Sequence, residues 1–135
     1  MIVVDASVVY KWIIHEAEEG VNEALRLREQ LAVGDIDVTA PDILLYEISN
    51  VLAHKSSLSR GEGQKAWKNF LLFDISFVSV TKDSASEYFA ISEQFGISSY
   101  DAAYVALAKT KNTQLITADK KLAAKVKPPL VRLLV

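Results

Sequence analysis

Four acidic residues sit where hydrophobic segments begin or end: Asp5, Glu47, Asp101 and Asp119. Asp5 closes the apolar run Ile2-Val3-Val4, and Asp119 follows a second strand-like run, Leu115-Ile116-Thr117. Glu47 interrupts the apolar stretch Ile43-Leu44-Leu45-Tyr46-Glu47-Ile48, and Asp101 opens a further helical stretch. A carboxylate beside core-forming residues costs free energy unless its charge is compensated. Four of them brought together repel one another, and a divalent cation is the natural remedy. Magnesium or manganese suits such a set, because each takes oxygen ligands in octahedral geometry and keeps waters for reaction. Such an ion lowers the pKa of a bound water and polarises a phosphoryl oxygen, and two ions about 3.5–4 Å apart clamp the attacking and leaving oxygens together. The chemistry expected is metal-dependent cleavage of a phosphate ester.

Hydroxyls and amides near the acids are expected to fix their orientation. Ser7 follows Asp5 by two residues, Thr117 precedes Asp119 by two, and Asn50 lies one helical turn beyond Glu47. Each residue also has an innocent reading. Asp5 serves equally as a strand-end turn residue, Ser7 as an N-cap, and Asp101 as a capping-box-like partner of Ser98. Asp119 serves as the cap of the last long helix, and Glu47 as a residue on the wet face of its own. What favours chemistry is the set, since all four acids fall at positions that one rim of a sheet can bring together.

The elements that must position them alternate. A strand is expected at Ile2 to Asp5, a helix at Ser7 to Ile14, and a second helix from Glu16 to Leu31, with Val21, Ala24, Leu25 and Leu31 on a helical period. Asp37 to Ala40 reads as a strand, and Pro41 as the first turn of a helix reaching Lys55. Ser59 is the expected cap of a helix running to Phe73. Phe77 to Val80 has strand character, and Asp83 is the expected cap of a helix stopped by Gly96. Ser98 or Ser99 begins the helix from Tyr100 to Lys111. Gln114 to Thr117 follows as a strand, Lys120 to Val126 as a helix and Leu130 to Leu134 as a strand. Short apolar strands alternating with helices imply an α/β sandwich around a mostly parallel sheet. In open sheets of that kind ligands gather outside the strands' carboxyl ends, where Asp5 and Asp119 fall.

Bulk properties narrow the field. The 135 residues suit one domain, and half of them are hydrophobic, enough for a sizeable core. The absence of cysteine excludes thiolate metal sites, disulfides and cysteine nucleophiles, and suits a reducing cytoplasm. Asp5 breaks the apolar N-terminus and no basic region precedes it, so neither a signal peptide nor a membrane span is expected. The net charge of -2 conceals an asymmetry. The first fifty residues carry ten acids against Lys11, Arg26 and Arg28; from Asp101 onward seven cations, from Lys109 to Arg132, face only Asp101 and Asp119. A basic C-terminal third beside acids suits a polyanion, although an ordinary solvated face explains the same lysines. No Walker-type or dinucleotide glycine loop occurs, His15 and His54 are isolated, and no serine has a nucleophile-elbow setting.

At these residues the sequence resembles the PIN-domain family, especially the small toxin nucleases of VapBC toxin–antitoxin systems. The likeness lies in Ile2-Val3-Val4-Asp5-Ala6-Ser7, in Pro41 through Glu47 to Asn50, in Tyr100-Asp101-Ala102-Ala103-Tyr104-Val105-Ala106-Leu107-Ala108, and in Leu115-Ile116-Thr117-Ala118-Asp119. The resemblance implies a PIN-like α/β/α sandwich and a Mg2+- or Mn2+-dependent endoribonuclease. In it Asp5 and Asp101 are metal ligands, Glu47 completes the site, and Asp119 joins directly or through water. It further implies a structured RNA target such as tRNA or rRNA, a VapB-like antitoxin as partner, and a homodimer. The alternatives are a PIN nuclease of RNA processing or decay without an antitoxin, and a non-catalytic RNA- or protein-binding module.

Overall fold

A computed structural model describes residues 1–14 and 18–135. The chain begins with β1 (Ile2–Val4), α1 (Ala6–Ile13) and α2 (Val21–Ala32), followed by β2 (Val38–Pro41) and α3 (Ile43–Asn50). A π-wound turn, Val51–Lys55, extends α3. Then come α4 (Arg60–Leu71), β3 (Ile75–Val78), α5 (Lys82–Phe95), α6 (Ser99–Thr110), β4 (Leu115–Thr117), α7 (Lys120–Lys125) and β5 (Val131–Leu133). The strands form one sheet in the order β3-β2-β1-β4-β5, and every pairing is parallel. The expected α/β/α architecture is therefore present.

Burial explains the order. Val3 and Val4 of β1 and Leu115 of β4 are wholly inaccessible, as central parallel strands covered on both faces must be. Helix α6 packs on β1, β2 and β4, and α5 packs on α6, while α1 packs against α2, α3 and α4. Every residue of α6 from Ala102 to Ala108 is buried. A helix apolar all round belongs in an interior, and its alanines allow close approach to the sheet.

The chain steps outward from β1 to β2 and β3, then returns to lay β4 on the other side of β1. That reversal puts the topological switch point between β1 and β4, where open α/β sheets gather ligands. Asp5 and Asp119 follow the last residues of those two strands.

Several boundaries depart from the sequence reading, each for a local reason. Pro41 ends β2 instead of opening a helix. It pairs with Val78, while β1 pairs with β2 only as far as Thr39, so the sheet does not need the missing N–H. The third strand begins at Ile75, two residues before the expected Phe77, because Ile75 is the buried partner of Val38; Val80 is left exposed. Thr81, not Asp83, caps α5 in a reciprocal capping box with Ser84, and Asp83 falls in the first turn. Ser59 caps α4 as expected, through a capping box with Glu62. The second helix, expected from Glu16, begins only at Val21, since Glu18 to Gly20 are not helical and Gly20 takes a left-handed turn before it; Glu16 itself and His15 lie outside the described residues. Among the described residues no helix is long and apolar enough to cross a membrane.

Candidate active site

Asp5 caps α1 and is the most tightly held of the four acids. Its Oδ1 accepts hydrogen bonds from the amides of Ser7 (3.1 Å) and Val8 (3.3 Å) and from the Ser7 hydroxyl (2.5 Å). Its Oδ2 accepts from the Thr117 hydroxyl at 2.5 Å. Both hydroxyls are oriented from behind by the turn after β4. The Ala118 amide donates to Ser7 Oγ (2.9 Å) and the Asp119 amide to Thr117 Oγ1 (3.0 Å). A hydroxyl that accepts from an amide has its own proton free for the carboxylate, so the two relays point one way. Ser7 thus touches Asp5, the acid it is expected to support, whereas Thr117, expected beside Asp119, gives its proton to Asp5 and meets Asp119 only through that residue's backbone amide; Ser7 is not the cap of α1, since Asp5 is. Only 6% of Asp5 is exposed, and burial raises its carboxyl from 3.8 to about 6 against the pull of those hydrogen bonds.

Glu47 and Asp101 reach the rim from helices. Glu47 is partly buried on α3, and Tyr104 of α6 donates its hydroxyl to Glu47 Oε1 at 2.6 Å. Burial raises the Glu47 carboxyl, the Tyr104 hydrogen bond lowers it, and the charge of Asp101 raises it again. Asp101 lies in the first turn of α6, where the Ser98 hydroxyl accepts from its amide at 3.0 Å. Burial raises the Asp101 carboxyl, and so does the charge of Asp119. Asp119 caps α7 through Oδ1, which accepts from the Lys121 (2.9 Å) and Leu122 (3.2 Å) amides, and its side chain is exposed.

Asp101 is the electrostatic hub of this set. Its charge acts on Asp5 and on Glu47, and the charge of Asp119 acts on it. No lysine or arginine among the described residues figures among the groups acting on Asp5, Glu47 or Asp101. The structure therefore brings Asp5, Glu47 and Asp119 each within electrostatic reach of Asp101 near the switch point. Carboxylate oxygens alone are a donor set that suits a hard divalent cation. The acids are not drawn into a finished cage: among the described residues no three Asp, Glu or His side chains converge as a ready-made metal site.

Tyr104 escaped the sequence reading as a functional residue, because it lies in a run that reads as core and is only 1% exposed. The available signal was its spacing, one turn beyond Asp101 on the same helix face. Burial, then the facing Glu47, keeps its hydroxyl protonated well above the usual tyrosine range. Asn50, expected beside Glu47, is exposed at the end of α3 and makes no side-chain hydrogen bond among the described residues. A cleft of 560 Å³ between the π-wound turn and α4 takes in Leu52, Leu58 and Trp67 but none of the four.

Residues 2–127 match the family model of the PIN domain. The chain is 32% identical over 143 residues to a Pyrobaculum aerophilum protein named Ribonuclease VapC3, across 96% of this chain and 97% of that protein. It is 27% identical over 124 residues to a second protein of that organism, named Exonuclease VapC9, across 92% of this chain and 84% of the relative. The fold is similar to that of a solved toxin–antitoxin complex from Klebsiella pneumoniae. There the TM-score is 0.71 at 16% identity, covering 98% of this chain and 96% of that one.

Proposed function

The chain belongs to the PIN-domain family, and we propose that it is an endoribonuclease whose Asp5, Glu47, Asp101 and Asp119 hold Mg2+ or Mn2+. The observation that carries this reading is the coupling of Asp5, Glu47 and Asp119 to Asp101 near the switch point, with no lysine or arginine among the described residues acting on Asp5, Glu47 or Asp101. The bound cation supplies the missing positive charge and a water acidic enough to attack phosphorus near neutral pH.

The chain's own residues do the positioning. Asp5, with both oxygens committed to hydroxyls, is the rigid member of the set. Tyr104 keeps its proton and holds one oxygen of Glu47, which leaves Oε2 for the ligand. Asp101 and Asp119 sit at helix N-termini, where the backbone dipole favours negative charge. Lys121, exposed on the first turn of α7, offers an RNA phosphate a cation beside the acids. The family resemblance implies products with a 5′-phosphate and a 3′-hydroxyl.

The relatives named as VapC proteins and the neighbouring toxin–antitoxin complex support a toxin restrained by a VapB-like antitoxin. As a toxin the chain would form a homodimer in the cytoplasm and cut structured RNA such as tRNA or rRNA, halting translation. A relative named as an exonuclease favours a second reading, removal of nucleotides from an RNA end. One experiment separates these outcomes: purified protein is incubated with total cellular RNA in Mg2+, Mn2+ or EDTA, and the new ends are mapped. Internal cuts that need either ion are expected. Terminal trimming supports the exonuclease reading, while an absence of cutting, or cutting in EDTA, overturns both. Growth arrest relieved by an adjacent small DNA-binding protein would mark the toxin; its absence would favour RNA processing.

A further inference from the structure

Two large aromatic side chains that adjoin site acids in the sequence stand open to solvent. Tyr46, immediately before Glu47 on α3, is 77% exposed, and Tyr100, immediately before Asp101 on α6, is 64% exposed. Single exposed apolar residues are common on any protein and need no explanation. These two differ in their placement. They lie on separate helices that meet at the Tyr104–Glu47 hydrogen bond. Tyr100 and Tyr104 are four residues apart and share one face of α6, so Tyr100 stands about 6 Å nearer the rim along the helix axis. Phe89, equally exposed on α5, has no site acid next to it.

Neither tyrosine has a structural partner. The ring contacts run through Trp12, Phe73, Phe70 and Trp67 in the core, and Tyr46 and Tyr100 make neither a ring contact nor a hydrogen bond among the described residues. A tyrosine left uncovered on a rim offers a flat π-face that any base can stack on, whatever its sequence. In a polynucleotide each base is tethered one sugar away from its phosphate. A phosphate held through a cation bound by the acids would therefore carry its neighbouring bases over the residues that flank them.

We propose that Tyr46 and Tyr100 form a stacking subsite for unpaired bases of single-stranded RNA, one on each side of the acidic rim. This rests on the nuclease reading above. The test uses the full chain and a short single-stranded oligoribonucleotide carrying 2-aminopurine, whose fluorescence falls when it stacks. Binding is measured with Asp101→Asn protein, so that cleavage does not intervene, and total-RNA cleavage is followed separately with the unaltered chain. Quenching is expected, with Tyr46→Ala and Tyr100→Ala each weakening binding by about tenfold. Tyr46→Phe and Tyr100→Phe should retain it, because stacking needs the ring and not the hydroxyl. Absence of quenching, Ala variants that bind as well as the parent, or Phe variants as weak as Ala would each overturn the subsite. Loss of the subsite with cleavage intact would leave the nuclease reading standing; loss of cleavage with stacking intact would do the reverse. A rim reserved for a protein partner would show as the first of these outcomes.

Discussion

Asp5 and Asp119 are secured at the ends of adjacent strands, while Glu47 and Asp101 are carried in by helices, and the two pairs are built on different terms. Asp5 has four donors, two from its own helix turn and two hydroxyls backed by amides of the β4–α7 turn. Glu47 has one, the Tyr104 hydroxyl. Redundant hydrogen bonds to a buried carboxylate keep its geometry when one is lost, whereas a single bond is all or nothing. The strand-borne half therefore sets the position of the site, and the helix-borne half is the part that single substitutions, or a ligand, can readily move.

The largest test of that contrast removes a charge from each half. Asp5→Asn or Asp101→Asn should reduce RNA cleavage to background while leaving the circular dichroism spectrum unchanged; wild-type cutting by either would refute the assignment. The next effect is on stability in EDTA. The folded pKa of Asp5, about 6, exceeds the ordinary 3.8, so the folded protein holds an extra proton between those values. For this group stability is greatest below about pH 4 and falls as pH rises, by about 3 kcal/mol by the time it passes 6. Glu47 and Asp101, also raised, add to the decline in the same direction. Denaturant melts from pH 4 to 7 should show it, and Asp5→Asn should flatten most of the slope.

Smaller changes probe the supporting groups. Tyr104→Phe deletes the only side-chain donor to Glu47 among the described residues, so both cleavage and Mn2+ affinity, measured by titration calorimetry, should fall about 10- to 100-fold. Thr117→Val should be milder, about tenfold in cleavage, because Ser7 still holds Asp5. It also strips the Asp119 amide of its acceptor, for about 1–3 kcal/mol of stability. If Thr117→Val proved the more damaging to cleavage, the rigid and movable halves would have to be exchanged.

The same division governs what could be read without coordinates. Ser7 meets Asp5 two residues along the chain, a pattern visible in the sequence, whereas Thr117 reaches Asp5 across 112 positions and its spacing points to Asp119 instead. The alternation of short apolar runs with helical periods likewise announces a parallel α/β sheet. Strand order is another matter: runs of three or four apolar residues look alike, and only packing decides that β1 lies between β2 and β4. Tyr104 meets Glu47 across 57 positions, a contact no local spacing encodes. Asn50 shows the converse error, since helical spacing makes it a neighbour of Glu47 but says nothing of whether its amide turns inward. Pro41 was read from its helix preference, and the sheet's own termination overrode it.

The pairing of β1 with β4 has a consequence in time. Thr117, the donor to Asp5 Oδ2, lies 112 positions further along the chain. A ribosome therefore makes Asp5 112 positions before the hydroxyl that anchors it. Until residues 115–119 emerge, β1 has an unpaired edge, Asp5 lacks half of its hydroxyl support, and Asp119 does not exist. The four-acid rim is in this way assembled only after Thr117 and Asp119 have been made, and a chain released before them lacks it.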